Sequence, residues 1–351
     1  MAESAFLDDR PAVPLRFLTE ANLTQIIRRQ ENQIDPNEVR TQLNDRIRTI
    51  FGGGALNLVP FAGGPYDVDD NVGDGRPYLV LIGYDAETVK SDMVSIPPLV
   101  EKIFRTHGSQ GAFRQLQNNL VFLLADEAMR GEMKARIRRR LALAAMRQPE
   151  RLRDLAEHQQ DKVNELHQRA EQELALAIQQ CYRQMFYPSR GNRVSGATVD
   201  LGHTAFDVHS ASEKPGAGQQ QVLRALAENN KLLRDEDHPL AATYVRDQTP
   251  LKKGQITTAD LRGEFRRDPR LPIMLGNGNL LKMIRNGVKD EVYVYRSGEL
   301  LFGPGDPFAE IKIDEQSCVF TMAYATEKGI WPRPAARASS NPGRPGTWPR
   351  R

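Results

Sequence analysis

The chain has 351 residues, 40% of them hydrophobic and 26% charged, enough to bury real cores in two or three domains of about 100–200 residues each. Its formal net charge is only +3, which excludes attraction to nucleic acid through the field of the whole molecule and leaves that role to local patches. Two cysteines, Cys181 and Cys318, lie far apart without a CxxC spacing, which argues against a disulfide framework or a zinc module and fits a reducing compartment. Residues 1–20 carry Glu3, Asp8 and Asp9 and no continuous apolar stretch, so no signal peptide is expected. The apolar run Leu120 to Ala125 falls far short of the ~20 residues of a membrane span, and the expected location is the cytoplasm, with no membrane partner.

In chain order, residues 15–51 read as helical, with Thr19 and Asn22 as caps and Leu43, Ile47 and Ile50 on one face. Asp35-Pro36 divides this stretch, Asp as cap and Pro in the first turn of a second helix, and Gly52, Gly53 and Gly54 end it. Leu56–Phe61 is β-prone, and a Gly/Pro/Asp-rich loop follows from Ala62 to Pro77. Tyr78–Tyr84 predicts a second strand, Ile96–His107 a helix opened by Pro97 and Pro98 and closed by Gly108, and Asn119–Ala125 a third strand. Strands apolar on both faces and separated by helices predict a buried, mostly parallel sheet.

From Asp126 to Tyr187 the pattern reads as helical throughout. Met133, Ile137 and Leu141 mark one face, Pro149 interrupts, and a second stripe runs from Leu152 through Val163, Ala170, Leu174, Ile178 and Cys181 to Met185. Steps of three and four with charged flanks predict a helical hairpin or coiled coil, stopped by Pro188. Residues 189–220 read as a linker holding one strand at Ala197–Val208. Beyond it, Gln221–Leu233, Thr258–Arg266 and Asn279–Asn286 read as helices, the last capped by Gly287. Val292–Tyr295 and Glu299–Phe302 then form a hairpin across Arg296-Ser297-Gly298. The expected architecture is α/β plus mainly α. It comprises an N-terminal helical segment (1–54), a partial parallel-sheet α/β domain (55–126), a long helical hairpin arm (127–188), a linker (189–220), a winged-helix-like module (221–331) and a disordered tail (332–351).

The chemistry-bearing patterns are few. A phosphate-cradling loop needs G-x-x-x-x-G-K-[ST], and neither Gly52-Gly53-Gly54 nor Gly63-Gly64 is followed by a Lys-Ser or Lys-Thr pair. Asp126, at the end of the strand in "NNLVFLLADE", is placed either for metal or water activation or as the cap of the next helix. Arg136, Arg138, Arg139 and Arg140, inside a longer basic stretch with few carboxylates near in sequence, suit a phosphate backbone or else a solvated face. If Asn279–Asn286 is a recognition helix, Lys282, Arg285, Asn286 and Lys289 line its outer side. Asp200, His203, Asp207 and His209 have ligand-like chemistry but no recognisable metal spacing, and no metal site is expected.

The stretches "FLTEANLTQIIRR" (17–29), "VRTQLNDRIRTIFGG" (39–53), "PYLVLIGYD" (77–85), "FRQLQNNLVFLLADE" (113–127) and "LPIMLGNGNLLKMIRNGVKDEVYVY" (271–295) together resemble the C-terminal half of large bacterial AAA-type ATP-binding proteins. Those proteins are encoded beside DNA methyltransferases and helicases in phage-defence islands. The resemblance covers most of residues 15–331 and implies a nucleotide-powered, restriction-modification-like role on foreign DNA. The family's P-loop region is missing before residue 15, so ATP and Mg are implied only for that missing part, and the chain is expected to be a split partner or a truncated product without ATPase activity of its own. The resemblance also marks Arg114, before the third strand, as an arginine finger toward a neighbouring subunit's nucleotide, against the alternative of a surface or Asp126-paired arginine. The expected function is the non-catalytic portion of a defence-associated ATP-dependent protein. Its expected partners are DNA, an ATPase subunit or a methyltransferase, and its own copies through the helical arm. A stand-alone nucleic-acid-binding regulator, an assembly scaffold and a metal-dependent hydrolase using Asp126 stand as rivals.

Overall fold

The computed structural model describes residues 7–8, 16–17, 23–70, 73, 75–91, 94–307 and 310–332. The caps expected at Thr19 and Asn22, and all of the expected tail but Pro332, lie outside the described residues. The chain divides into two units, Met1–Asp237 with Gly263–Asn277, and His238–Arg262 with Gly278–Arg351.

The first unit opens with a two-residue ladder, β1 (Leu7–Asp8) against β2 (Arg16–Phe17), so Arg16 and Phe17 are extended where a helix is expected. Helices α1 (Leu23–Gln33) and α2 (Pro36–Phe51) follow. The start of α2 obeys the local rule: the Asp35 carboxylate accepts from the Asn37 amide at 2.9 Å, and Pro36 fills the first helical position, where its missing N–H costs nothing. The main sheet has the order β10-β9-β8-β4-β3. Strands β3 (Asn57–Val59), β4 (Tyr78–Leu81) and β8 (Leu120–Asp126) are parallel, and β5 (Thr88–Val89) pairs in parallel with the end of β8. Between them lie α3 (Pro98–Arg105) and the small hairpin of β6 (Thr106–His107) and β7 (Ala112–Phe113). Alternate residues of each strand feed opposite faces. Leu79, Leu81, Val121 and Leu123 join the core under α2, and Val80, Phe122 and Leu124 join a second core with Val100, Ile103 and Phe104 of α3. Both faces being covered explains the continuous apolar runs.

The mostly parallel sheet needs correcting. After β8 the chain forms α4 (Glu127–Met146), the short α5 (Pro149–Leu152) and α6 (Glu157–Cys181), then β9 (Tyr182–Pro188) and β10 (Leu201–Ala205), both antiparallel to their neighbours. The pairing of α4 and α6 is itself antiparallel: Met133 and Ile137 share a core with Leu174 and Ile178, and Leu143 and Met146 share one with Val163 and Ala170. Two long helices therefore return the chain to the carboxyl end of β8, and the next strand has to run back along it. Because Met133, Ile137 and Leu141 belong to the same core as Leu79 and Val121, the helix pair is a layer on the sheet. Residues 182–188, expected to continue the helix, are strand, and the segment read as a linker contributes the sheet's edge strand β10.

The unit is completed by α7 (Ala217–Glu228) and a parallel pair, β11 (Leu232–Leu233) with β13 (Ile273–Met274). The helix expected to reach Leu233 stops early, at Glu228, and just beyond it Asn230 takes a φ of 53°, a left-handed conformation that Asn tolerates.

The second unit contains α8 (Ala242–Gln248), β12 (Gln255–Thr257), the first five residues of α9 (Thr258–Arg267, which passes into the first unit at Gly263), α10 (Gly278–Lys289), β14 (Tyr293–Ser297), β15 (Leu300–Phe302), β16 (Ser317–Thr321) and α11 (Met322–Glu327). Its sheet is antiparallel, in the order β12-β16-β14-β15, and the expected hairpin is β14–β15 turning at Gly298, with a φ of 58°. Gly287 is not a cap: it is buried inside α10. A Cβ there would lie 2.2 Å from Tyr293 Cδ2 and 2.9 Å from Ala242 Cβ, while the Tyr293 hydroxyl donates to the Ala242 carbonyl. Glycine is needed for close approach. Gly287→Ala is expected to cost about 1–3 kcal/mol through overpacking, despite alanine's better helix propensity. The readout is a lower urea midpoint at constant slope, and an unchanged midpoint would show that the ring moves aside freely.

Candidate nucleic-acid interface and the polar sites of the sheet

Asp126 ends β8 and caps α4. Its Oδ1 accepts from the Ala128 amide at 3.0 Å, and its Oδ2 accepts from Ser91 Oγ, Arg183 Nε and Gln184 Nε2 at 2.8–2.9 Å. Burial works to raise its pKa, but the hydrogen bonds from Gln184, Arg183, Ser91 and Ala128 outweigh it and hold the carboxyl below its ordinary range. Three of the four donors converge on Oδ2 and one on Oδ1, so the carboxylate is held from β9 and the loop at Ser91 as a structural junction that also caps α4. Arg183 and Gln184 come from β9, a strand where a helix is expected. The β-prone aromatic residues Tyr182, Phe186 and Tyr187, bounded by Pro188, are the signal that identifies it. Gln184 Oε1 also accepts from His203 Nε2 at 2.7 Å, and burial pushes the His203 pKa down, which favours the neutral ring. His203 rests on Phe186, Asp207 pairs with Arg183 and Asp200 with Arg193, so the Asp/His group of 200–209 is dispersed into separate contacts. Among the described residues, no group of three or more His, Cys, Asp or Glu side chains could hold a metal ion.

Arg114 is buried, at 4% exposure. Its Nε donates to Ile103 O at 2.9 Å, its Nη1 to Asp69 O at 2.8 Å, and its Nη2 to Val68 O at 2.7 Å and Thr106 O at 3.2 Å. Asp70 stands 3.6 Å away and accepts from the amides of Gln115 and Leu116. Burial pulls the guanidinium pKa down, and Asp70 opposes that fall. A finger needs a guanidinium that projects to a neighbouring subunit. This one is consumed in tying two loops of its own chain together, and its ion-pair partner is Asp70 rather than Asp126.

The arginines of α4 find partners that sequence distance hides. Arg136 pairs with Glu132 and Glu173, each at 2.6 Å, Arg140 with Glu171 at 2.7 Å, and Arg139 with Glu31 at 3.5 Å. Glu171 also takes Arg46 of α2 at 2.9 Å, so one carboxylate joins three helices. Of the four, only Arg138 is exposed with no ion pair among the described residues. Partly solvated pairs like these contribute little to stability individually, but they oppose phosphate for the same guanidinium.

On α10, Leu280, Met283, Ile284 and Val288 are buried, whereas Lys282, Arg285, Asn286 and Lys289 are exposed, spaced by three, one and three residues along one outer face. The described part of this unit, 238–332 without 263–277, holds ten Lys or Arg and ten Asp or Glu in its sequence, so the face is a local cationic patch on a neutral body.

The fold defines a mixed α/β protein whose main sheet combines parallel and antiparallel strands, accompanied by a smaller α/β unit. Comparison with family models, with curated proteins and with solved structures gives no match. No helix among the described residues is long and apolar enough to cross a membrane.

Proposed function

We propose that the chain is a non-catalytic, DNA-engaging portion of a defence-associated ATP-dependent system, and that its second unit is a module of winged-helix type presenting α10 to duplex DNA. The observation that carries this reading is the exposed set Lys282, Arg285, Asn286 and Lys289 on a helix that follows α8, β12 and α9 and precedes the β14–β15 hairpin. Helix, strand, two helices, then a strand and wing is the order in which winged helices place their recognition helix. The sheet order β12-β16-β14 supports it, because the strand before the second helix lies beside β16, the strand that follows the hairpin and pairs with β14. The sequence contains no G-x-x-x-x-G-K-[ST] loop, so nucleotide turnover would fall to an ATPase subunit, with a methyltransferase as its expected companion.

The test is fluorescence anisotropy of the full chain on duplex and single-stranded DNA over a salt series. Duplex binding is expected to weaken steeply with salt, by about 0.9 in log–log slope per neutralised phosphate. The triple variant Lys282→Ala, Arg285→Ala, Lys289→Ala is expected to lose roughly tenfold or more in affinity at low salt. Duplex affinity unchanged in that variant would remove α10 from the interface.

A further inference from the structure

We infer that the open cavity above the carboxyl ends of β3 and β4 binds a small phosphorylated ligand carrying a planar ring, of the nucleoside monophosphate class. This site belongs to the first unit and is independent of the DNA reading. Its volume is about 390 Å³, within the usual range of small-molecule sites. In open α/β sheets, ligands gather outside the carboxyl ends of parallel strands, where loops diverge. Here the chain leaves β3 through Phe61 and Gly63 and leaves β4 through Gly83, Tyr84 and Asp85.

The lining supplies both halves of the recognition. Arg40, Asn44 and Arg48 are four residues apart on α2, so all three face the cavity from one side of that helix. The Arg40 guanidinium is exposed and has no hydrogen bond or ion pair among the described residues. Arg48 lies over the Phe61 ring, 5.2 Å from its centroid, and pairs with Asp45 on the exposed side at 3.0 Å. Two guanidiniums and an amide suit a phosphate, and guanidinium planes and aromatic faces suit a flat ring. The acid in the lining does not oppose this, since Asp85 is paired with Lys134 at 2.6 Å and Lys134 covers the Tyr84 ring at 5.1 Å. Burial, with Asp85 beside it, pushes the Tyr84 phenol up to about 12, so the ring stays uncharged at neutral pH.

A second, independent observation points to the same place. Phe61 holds a φ of 56°, a left-handed conformation that a bulky side chain rarely adopts. Strain of this kind concentrates at ligand-binding positions. A glycine would relieve it, yet an aromatic ring stands at this position and faces the cavity.

The experiment is isothermal titration calorimetry of the full chain with AMP, GMP, CMP and UMP, with the four nucleosides and inorganic phosphate as separate arms. At least one monophosphate is expected to bind saturably at one site, at least tenfold more tightly than its nucleoside and than inorganic phosphate. The double variant Arg40→Ala, Arg48→Ala is expected to weaken that binding at least tenfold. Its fold is checked by its melting curve, and Arg138→Ala, an exposed arginine elsewhere, is expected to bind as wild type. Absence of saturable binding by all four monophosphates, equal binding by inorganic phosphate, or undiminished binding by a folded double variant would overturn the proposal.

Discussion

Asn118→Ala is expected to destabilise the first unit by about 2–5 kcal/mol, because it leaves two buried polar groups short of a partner. Asn118 stands just before β8, and its Oδ1 accepts from Lys231 Nζ at 2.7 Å, while its Nδ2 donates to the carbonyls of Phe265 and Leu271 at 2.7 and 3.1 Å. Lys231, only 5% exposed, also donates to Pro269 O and Leu271 O at 2.8 and 2.5 Å. Three oxygens thus meet the three hydrogens of one buried ammonium, and the cluster ties the start of β11 to the segment that leads into β13. Removing the amide strips an acceptor from the charge and orphans the Phe265 carbonyl, and each such buried group left unpaired costs about 1–3 kcal/mol.

The same cluster has a pH signature. Burial pushes the Lys231 pKa down to about 7, against the opposing pull of Asp268. A lysine whose folded pKa lies below its unfolded value of 10.5 leaves the folded state with fewer bound protons between about 7 and 10.5, so its effect on stability becomes more favourable as pH rises through that window. The stability difference between wild type and Lys231→Met is therefore expected to shift in favour of wild type from pH 7 to pH 9, measured by urea unfolding. A difference independent of pH would contradict this account of the cluster, as would an Asn118→Ala midpoint equal to that of wild type.

Asp126→Ala is the second large effect, about 3–5 kcal/mol. The substitution deletes the cap of α4, which alone contributes about 0.5–2 kcal/mol, and leaves Arg183, Gln184 and Ser91 without their shared acceptor. Asp126→Asn retains the size of the group but loses the charge, and is expected to cost less. The folded pKa of Asp126 lies below its ordinary 3.8, so its stabilisation is complete above that value and is lost as pH falls through the folded pKa. The advantage of wild type over Asp126→Asn is expected to shrink below about pH 4. An advantage that stays constant on acidification would show that the charge of Asp126 contributes nothing.

Where physics is local, the sequence is legible. Asp35-Pro36 announces the start of α2, the stripe Met133, Ile137 and Leu141 announces the buried side of α4, and Arg296-Ser297-Gly298 announces the β14–β15 turn. Local signals also mislead where two elements share one apolar rhythm. Cys181 and Met185 continue the stripe of α6, yet Met185 belongs to β9, because the edge of β8 at Leu123 offers a partner that no helical spacing reveals. Gly287 resembles a cap in sequence, and only the approach of Tyr293 shows why it is glycine. The polar sites are the least legible part. Arg114, Asp126, Asn118 and Lys231 each meet partners tens of residues away, and nothing in their neighbourhoods along the chain distinguishes a buried junction from a catalytic or surface group. The arginines of α4 teach the same lesson, since their carboxylates are drawn mainly from α6 and α1.

The most direct test of the proposed function compares salt slopes for duplex binding between two sets of charge removals on a folded chain. One set is Lys282→Ala, Arg285→Ala, Lys289→Ala on α10, and the other is Arg138→Ala on α4. The account predicts that the α10 set lowers the slope by about one for each phosphate the chain no longer neutralises, while Arg138→Ala leaves it unchanged. A slope that falls with Arg138→Ala and stays intact in the α10 set would contradict it.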